Sequence, residues 1–252
     1  MSADRSASRM VAIWELVAEQ AARRQARASV VDVCAAVVAT ATVSGAALTA
    51  VTPAGGVHLI CATDEISERL ADIELTLGEG PRADAVAFGG PVLTSDLADG
   101  DAVAQWPVFA AAAREAGAAA VVAFPLQVGA IRAGVLQMYR RQPGPLGASA
   151  LGDALLFADT ATLMLLDAAA EGAAAGTGPG GQPIEIGVHR AEIDQATGML
   201  TEQLVTGVEQ AFARLRAYAY VHDRPLSDVA RDIVERRLRL LPDDEMPRSG
   251  AR

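Results

Sequence analysis

Hydrophobic residues recur with both helical and strand periods along the first two thirds of the chain, and with helical periods alone near its C-terminal end. Spacings of three and four predict helices, whereas short apolar runs bounded by glycine and proline predict strands. The predicted elements before residue 171 are, in order, helices over 8–27 and 29–40, strands over 46–51 and 57–62, a helix over 66–77, a turn and short helix over 77–86, a strand over 91–95, a helix over 106–116, strands over 119–128 and 131–140, and a helix over 151–170. This order predicts an antiparallel sheet with helices packed on it, which is an α+β domain.

The first and last helices of this region carry unusual apolar patterns. The first is predicted to bury a stripe formed by Val11, Trp14, Ala18 and Ala21, widened by Ile13, Leu16 and Val17. The last is apolar around nearly its whole circumference, with a narrow polar stripe at Asp153, Thr160 and Asp167. Such a helix must be covered on several sides, so the sheet, together with the first helix or a second subunit, must pack on it. We therefore expect a homodimer with twofold symmetry.

The segment from 188 to 241 has three helical stripes and no strand between them. The stripes consist of Ile193, Ala196, Leu200 and Leu204, then Val208, Ala211, Phe212 and Leu215, then Val229, Ile233 and Val234. A domain of this size is stable only if all three stripes pack against one another. Thr206, with Glu209 as its reciprocal partner, is predicted to cap the second helix, and Ser227 is predicted to cap the third.

These patterns divide the chain into five parts. They are an N-terminal helix over 1–28 that packs on the next domain or on a dimer partner, an α+β domain over 29–171, a Gly/Pro-rich linker over 172–187, a three-helix domain over 188–241 and a tail over 242–252. An α+β domain followed by a small all-α domain is the arrangement of a sensor joined to an output module.

The net charge of -10 argues against attraction of the whole chain to nucleic acid or to an anionic membrane. Within 188–241, however, eight arginines balance eight acidic residues, so a local basic patch is available there. The N-terminus lacks a secretory apolar segment, and the apolar runs are interrupted before they reach the length of a membrane span. These features predict a cytoplasmic protein that has no membrane partner.

Catalytic and metal-binding patterns are absent from the sequence. Cys34 and Cys61 have neither a CxxC partner nor a histidine at ligand spacing, so no metal site is predicted. The sequence also lacks a nucleophile motif and a phosphate-binding loop. We therefore expect no catalytic residues, no enzymatic activity and no cofactor.

Several polar side chains lie outside the stripes of the three-helix segment. They are Arg190, Thr197 and Thr201 on the first helix, and Arg214, Arg216, Tyr218 and Tyr220 on the second. Arginine beside tyrosine is typical of single-stranded RNA recognition, because the cation pairs with phosphate and the ring stacks on a base. The alternative interpretation is that the arginines are solvated and the tyrosines belong to the core.

Four motifs between Ser29 and Ala170 occur together and in order, namely LGEGPRADAV, PVLTSDL, QWPVFAAAAREAG and AVVAFPLQVGAIRAGVLQMY. In this combination the region resembles a GAF domain of the actinobacterial type. The resemblance implies a domain that dimerises or binds a small molecule, whose identity the sequence does not reveal. Arg82 and Phe124 are the candidate residues of its ligand pocket. Arg82 would close the pocket or reach an anionic ligand, or else it would be a solvated turn residue.

The segment RAEIDQATGMLTEQL, followed by VEQAFARLRAYAYVHDRPLSDVA, resembles an ANTAR domain. The matching positions are Ile193, Gln195, Ala196, Gly198, Leu200, Ala211, Phe212, Leu215, Arg216, Leu226, Val229 and Ala230. The resemblance implies an RNA-binding domain that grips paired hairpin loops in the leader of a nascent messenger RNA and prevents a terminator from forming. Its candidate RNA-binding residues here are Arg190, Thr197, Gly198, Arg214, Arg216, Tyr218 and Arg224. Thr197 stands where the family often has lysine, which would remove one phosphate contact.

Two other partners are compatible with the three-helix domain. One is a helix of another protein, docked through exposed valine and leucine side chains. The other is duplex DNA, which is disfavoured because the last helical segment, RDIVERRLRL, carries acidic residues among its arginines. The sequence therefore favours RNA, with a protein partner as the main alternative.

Overall fold

The computed structural model describes residues 2–40, 42–51, 57–174, 188–222 and 224–240. The chain divides into two compact units, Met1–Glu185 and Ile186–Arg252. The first unit contains a sheet with helices, and the elements of the second unit are helices in its described residues. This confirms the predicted fold class, an α+β domain followed by a small all-α domain.

The elements of the first unit follow the predicted order closely. They are α1 (Ser2–Arg23), α2 (Val30–Ala39), β1 (Gly45–Val51), β2 (Val57–Ala62), α3 (Glu65–Leu77), α4 (Pro81–Phe88), β3 (Val92–Thr94), α5 (Gly100–Gln105), α6 (Pro107–Glu115), β4 (Ala120–Val128), β5 (Ile131–Arg140) and α7 (Ala148–Ala174). The strands form one antiparallel sheet in the order β2-β1-β5-β4-β3. The sequence pattern does not predict α5, because six residues are too few to show a period.

The centre of the sheet is the pairing of β1 with β5, in which Leu48 lies opposite Leu136. The two strands approach closely at Gly134, where a Cβ atom would lie 2.1 Å from the Thr49 carbonyl oxygen. Only glycine fits so close a contact with the backbone. The glycine that interrupts the apolar pattern of β5 therefore has a steric function.

The two faces of the sheet are covered by different helices. One face, which includes Phe124 and Leu136, packs against α1, α2 and α7 in a continuous apolar cluster. The other face, which includes Tyr139, packs against α3, α5 and α6 around Phe109. Ala123, the neighbour of Phe124, lies on this second face and contacts α4. Side chains thus alternate between the two cores along each strand.

The buried stripe of α1 differs from the predicted one. Ile13, Val17 and Ala21 are buried, whereas Val11 and Trp14 are 57% and 39% exposed. The buried side chains Ile13, Val17 and Ala21 are four residues apart. Val11 and Trp14, which are three residues apart, lie outside this buried face. The prediction that Val11, Trp14 and Ala18 belong to the buried stripe is therefore wrong, because Ala18 is exposed as well.

α7 packs on both the sheet and α1. Arg9 on α1 donates from Nε and Nη2 to Asp153 Oδ1 on α7, at 3.0 and 2.7 Å. Phe157 is buried in the cluster, but Leu155 and Leu163 are 43% and 50% exposed. α1 and the sheet thus cover only part of the apolar surface of α7.

By length and composition, residues 148–170 of α7 would allow a membrane span, which no other described helix would. Asp153, Asp159 and Asp167 interrupt its apolar residues, as the sequence predicts. In the fold it packs against α1, α2 and the sheet. α7 also continues to Ala174, so it occupies the first residues of the predicted linker over 172–187. The rest of that linker and the predicted tail lie outside the described residues.

The second unit consists, in its described residues, of α8 (Val188–Leu204), α9 (Val208–Val221) and α10 (Leu226–Val234). The apolar side chains that form its core are Ile193, Ala196, Leu200, Ala211, Leu215, Ala219, Leu226, Val229, Ala230, Ile233 and Leu240. Each of the three predicted stripes contributes to this core. Val208 does not belong to it, because its side chain is 66% exposed.

Both predicted helix caps in this unit are wrong. Gly207 occupies the N-cap position of α9, so Thr206 lies one residue too early to cap the helix. Pro225 occupies the N-cap position of α10, and Ser227 is therefore the second helical residue, where it is buried. Glycine and proline set the direction in which the chain enters each helix, and neither start has a side-chain cap.

Candidate nucleic-acid interface

The predicted binding residues on α9 lie on two separate flanks of the helix. The buried line of the helix is Ala211, Leu215 and Ala219. At about 100° per residue, Arg214 and Tyr218 lie on one side of this line and Arg216 lies on the other. The structure therefore does not bring Arg216 next to Tyr218, although the sequence groups them in one site.

Tyr218 is oriented by His222, one turn further along the chain. Their ring centroids are 3.9 Å apart and their planes differ by 19°, and His222 Nδ1 lies 2.9 Å from the Tyr218 carbonyl oxygen. Tyr218 is half-buried and His222 is exposed, so the stacked pair presents aromatic surface to solvent. His222 was not among the predicted binding residues, although its spacing of four from Tyr218 on a helix indicates that the two side chains meet.

Arg224 is fixed by Asp232 and lies near Tyr218. Arg224 Nη2 donates to Asp232 Oδ2 at 2.6 Å, and Arg237 Nη2 reaches Asp232 Oδ1 at 2.8 Å. The hydrogen bond from Arg224 holds the pKa of Asp232 below its ordinary value, and the same bond raises the pKa of Arg224. Arg237 also contacts Glu235, so the cluster is close to electrical balance. Asp232 therefore positions Arg224, whose side chain remains 37% exposed.

Arg216 lies on the opposite flank of α9. Its guanidinium carbon is 5.8 Å from the centroid of the Phe212 ring, which is a cation–π contact. Arg214 is exposed on the same side of the helix as Tyr218. The flank of Tyr218 thus combines two arginines, a tyrosine and a histidine, while Arg216 belongs to a different surface.

The remaining predicted RNA contacts lie on α8, and they differ in accessibility. Arg190 is part of the helix, but its side chain lies outside the described residues. Thr197 is 6% exposed and donates its hydroxyl to the Ile193 carbonyl oxygen at 2.7 Å. The expectation that Thr197 lies outside the buried stripe is wrong, because it follows Ile193 by one helical turn. Gly198 is exposed, and a Cβ atom there would meet nothing within 4 Å, so a partner could approach the backbone closely.

Arg82, the first candidate pocket residue, is the buried partner of Glu74. Its Nε donates to Glu74 Oε2 at 3.0 Å, and its backbone N–H donates to Glu74 Oε1 at 2.8 Å. Burial raises the pKa of Glu74 above its ordinary value, although Arg82 opposes the shift. Gly80 makes room for the pair, because a Cβ there would lie 2.4 Å from Glu74 Oε1. Arg82 is therefore neither solvated nor free to reach an anionic ligand.

The turn between α3 and α4, together with the start of α4, contacts α6 and the residue before it through two other acidic residues. Glu79 Oε1 accepts hydrogen bonds from the backbone N–H groups of Val108 and Phe109, at 2.9 and 2.8 Å, and so caps α6. Asp84 Oδ2 on α4 accepts from the Trp106 indole at 3.0 Å. The motif that follows α3 is therefore a structural junction.

Phe124, the second candidate pocket residue, is 1% exposed in the core against α2 and α7. It lies on the face of the sheet opposite to α4, which carries Arg82. The two residues therefore cannot line one pocket, and this part of the prediction is wrong. Among the described residues, no group of three histidine, cysteine or acidic side chains could hold a metal ion.

A family model of the ANTAR domain matches residues 188–234. No protein in the comparison with curated proteins matches the chain. Solved structures with a likeness to part of the chain include the GAF domain of a phosphoenolpyruvate-protein phosphotransferase from Coxiella burnetii, at 13% identity, with 65% of this chain and 98% of that one covered and a TM-score of 0.48. The corresponding domain from Acinetobacter has 12% identity, covers 68% and 97%, and has a TM-score of 0.47. The GAF domain of a two-component sensor histidine kinase from Bacillus halodurans has 12% identity, covers 56% and 96%, and has a TM-score of 0.42.

The family match includes all of α8, α9 and α10, and thus the flank with Tyr218, His222 and Arg224. The sheet before it has the order and antiparallel pairing given above, and the four motifs that resemble the GAF family lie in that unit. The chain therefore carries an ANTAR domain over residues 188–234, preceded by an α+β domain with a five-stranded antiparallel sheet.

Proposed function

We propose that this protein is an RNA-binding regulator that acts by transcription antitermination in the cytoplasm, with the first unit sensing a small molecule or a partner. The match of residues 188–234 to the ANTAR family carries the proposal. ANTAR domains are regulatory domains, and binding of paired hairpins in a nascent messenger RNA is the activity that the family implies. The protein regulates in this way without catalysing a reaction.

The RNA-contacting surface that we assign is the flank of α9 with Tyr218, His222 and Arg224. A base unstacked from a hairpin loop can stack on the aromatic pair, since every base has a flat face. Arg224, held by Asp232 at 2.6 Å, supplies a charged donor for a phosphate. Arg214 adds a second cation on this side of the helix.

Two hairpins require two copies of the domain, so we propose a homodimer. It is supported by the apolar side chains that the first unit leaves exposed on two helices that pack together, namely Val11 and Trp14 on α1 and Leu155 and Leu163 on α7. Leu155 and Leu163 are eight residues apart and lie on one stripe of the helix. Joining two weak sites in one dimer raises the overall affinity through effective concentration. Sedimentation of Leu163→Asp should give monomers, and an undiminished dimer would exclude this surface.

A pair of tyrosine variants tests the assigned flank. RNA that co-purifies with the full-length protein is sequenced, and the affinity for a recovered hairpin is then measured for Tyr218→Ala and Tyr220→Ala. We expect Tyr218→Ala to weaken binding about 5- to 150-fold, because stacking on a base is lost. Tyr220, which is 55% exposed on the other flank, is the matched control and should change affinity less than about twofold.

Two outcomes would contradict the proposal. If the recovered RNA has no shared paired stem-loops, antitermination is excluded, and if both tyrosine variants lose equal affinity, the assigned flank is wrong. Binding through phosphates should also weaken steeply with salt concentration. An affinity that does not change between low and high salt would argue against an RNA backbone contact.

Gly198→Ala provides a second variant on α8. Because a Cβ at this position would meet nothing within 4 Å, alanine should stabilise the helix, by about 0.8–1 kcal/mol. If the RNA backbone approaches Gly198, the same change should lower RNA affinity in a more stable protein. Unchanged affinity would remove Gly198 from the contact surface.

A protein partner is the second candidate, and the turn between α8 and α9 favours it. Val205 and Val208 are 91% and 66% exposed there, so the turn offers apolar surface to a partner. Docking of a helix on these side chains would depend little on salt, and Val208→Ser would weaken it while leaving RNA binding intact. Competition between the recovered hairpin and duplex DNA tests the remaining alternative, in which the three-helix domain binds DNA.

A further inference from the structure

A cavity of about 160 Å³ lies at the β3 edge of the sheet, on the face that packs against α7. Its apolar walls include Leu93, Val122, Met138 and Leu151, and its polar wall residues are Ser95 and Arg140. The cavity is partly open to solvent, and the loop that follows β5 forms part of its wall.

The outer wall is the loop from β5 to α7, and hydrogen bonds fix its shape. Arg140 Nη1 donates to the Gly144 carbonyl oxygen at 2.8 Å, and the Gly144 N–H donates to the Ser95 carbonyl oxygen at 2.7 Å. Gly144 has a φ of 131°, which residues with a side chain rarely adopt. These contacts hold the loop in an arch beside the sheet, so the cavity is preformed.

The walls define the chemistry of the ligand. Their apolar side chains suit a hydrocarbon body, and a cavity of about 150 Å³ accommodates a benzene ring. Both bonds that Arg140 makes to the loop leave from Nη1, so Nε and Nη2 remain for a carboxylate. We propose that this cavity binds a small aromatic monocarboxylate of the size of benzoate, with its ring among the apolar walls and its carboxylate on Arg140.

This site is separate from the Glu74–Arg82 junction, which occupies the opposite face of the sheet. Leu93 is 51% exposed and marks the mouth of the cavity, so a ligand can enter without unfolding of the domain. Binding in the cavity does not depend on RNA. Only the role of the ligand as a regulatory signal rests on the proposed function.

The test uses the full-length protein with ¹³C-methyl methionine, because Met138 lines the cavity. Benzoate should shift the Met138 methyl resonance in a saturable manner, with a Kd of about 1 mM for a ligand of this size. Met199 on α8 in the other unit is an internal control and should not move. Met138→Leu assigns the resonance.

Two analogues on the unmodified protein test the ligand class. Benzamide has a similar size without the charge and should bind at least about tenfold more weakly, because a charge-assisted hydrogen bond is lost. 2-Naphthoate has the charge but a second ring, and it should not produce the shift. Arg140→Met should abolish the preference for benzoate over benzamide, whereas Arg140→Lys should retain part of it.

Absence of a saturable Met138 shift with benzoate would overturn the proposal, and so would equal affinity for benzamide. RNA affinity is measured on the same samples, with and without benzoate. RNA binding without benzoate binding refutes the cavity as a ligand site and leaves the proposed function intact. Benzoate binding without RNA binding supports the cavity as a ligand site and refutes the proposed function.

Discussion

Separation of the Glu74–Arg82 pair should be among the most damaging changes in the first unit. Glu74 and Arg82 have side chains that are 0% and 6% exposed, so solvent screens their interaction little. Removing one partner leaves the other charge buried without compensation, which costs about 3–5 kcal/mol. We therefore expect Glu74→Leu and Arg82→Met each to lower the free energy of unfolding by that amount at neutral pH.

The double variant should be much less damaged than the sum of the two single variants. Replacing a buried ion pair with apolar side chains of similar volume is often neutral. The remaining cost comes from the backbone N–H of Arg82, which donates to Glu74 Oε1 at 2.8 Å in the native protein and would lose this acceptor. That loss should cost about 1–3 kcal/mol. The coupling energy between the two sites is then at least about 3 kcal/mol.

Urea titration followed by tryptophan fluorescence measures these energies in the full-length chain. Both tryptophans, Trp14 and Trp106, lie in the first unit, so the emission reports that unit alone. Burial raises the pKa of Glu74, so the stability that this carboxyl group contributes is complete below the ordinary glutamate pKa. That stability is lost as the pH rises through the pKa of Glu74 in the folded protein. Arg82→Met should therefore be less destabilising at pH 5 than at pH 8. Simple additivity of the single losses would refute this account.

Three further variants, one of them a control, probe the sheet and the start of α2. Gly134→Ala would place a methyl group 2.1 Å from the Thr49 carbonyl oxygen, and we expect a loss of about 3 kcal/mol in the same titration. Gly147→Ala, whose methyl group would meet nothing within 4 Å, should be silent. Burial raises the pKa of Asp32, but hydrogen bonds from Arg24 and the helix start outweigh it and hold the pKa below its ordinary value. The stability this carboxylate contributes is present above the ordinary aspartate pKa and is lost as pH falls, so Asp32→Asn should flatten the acid side of the stability profile. Since Arg24 is 43% exposed, the loss at pH 7 should be about 2 kcal/mol, and an unchanged acid profile would disprove the assignment.

Local patterns predict the strands of the first unit well. The hairpin of β4 and β5 is predicted to within one residue, because its apolar strands are separated by a two-residue turn at Gly129. The face of α1 is predicted less well, since Val11 and Trp14 have helical spacing but point away from the sheet. Periodicity identifies the helix, and only the position of the partner elements decides which side is buried.

The candidate sites depend on contacts that the sequence does not display. Burial of Arg82 requires Glu74, which lies eight residues earlier and on another helix. Thr197 is polar but follows Ile193 by one turn, so its hydroxyl is satisfied by the helix backbone although the side chain is buried. Family resemblance identifies the ANTAR domain, but the division of α9 into two flanks follows only from the position of its buried line.

The length of α7 has a mechanical consequence. Leu151, in the first turn of the helix, lies in the wall of the cavity, and Ala174 follows 23 residues later, about 35 Å further along the helix axis. A rigid rod of that length amplifies small rotations at one end. If a ligand tilted it by about 5° at Leu151, Ala174 would move by about 3 Å, which is the diameter of a water molecule. Binding of a molecule the size of benzoate would then displace the C-terminal end of α7 without any rearrangement of the sheet.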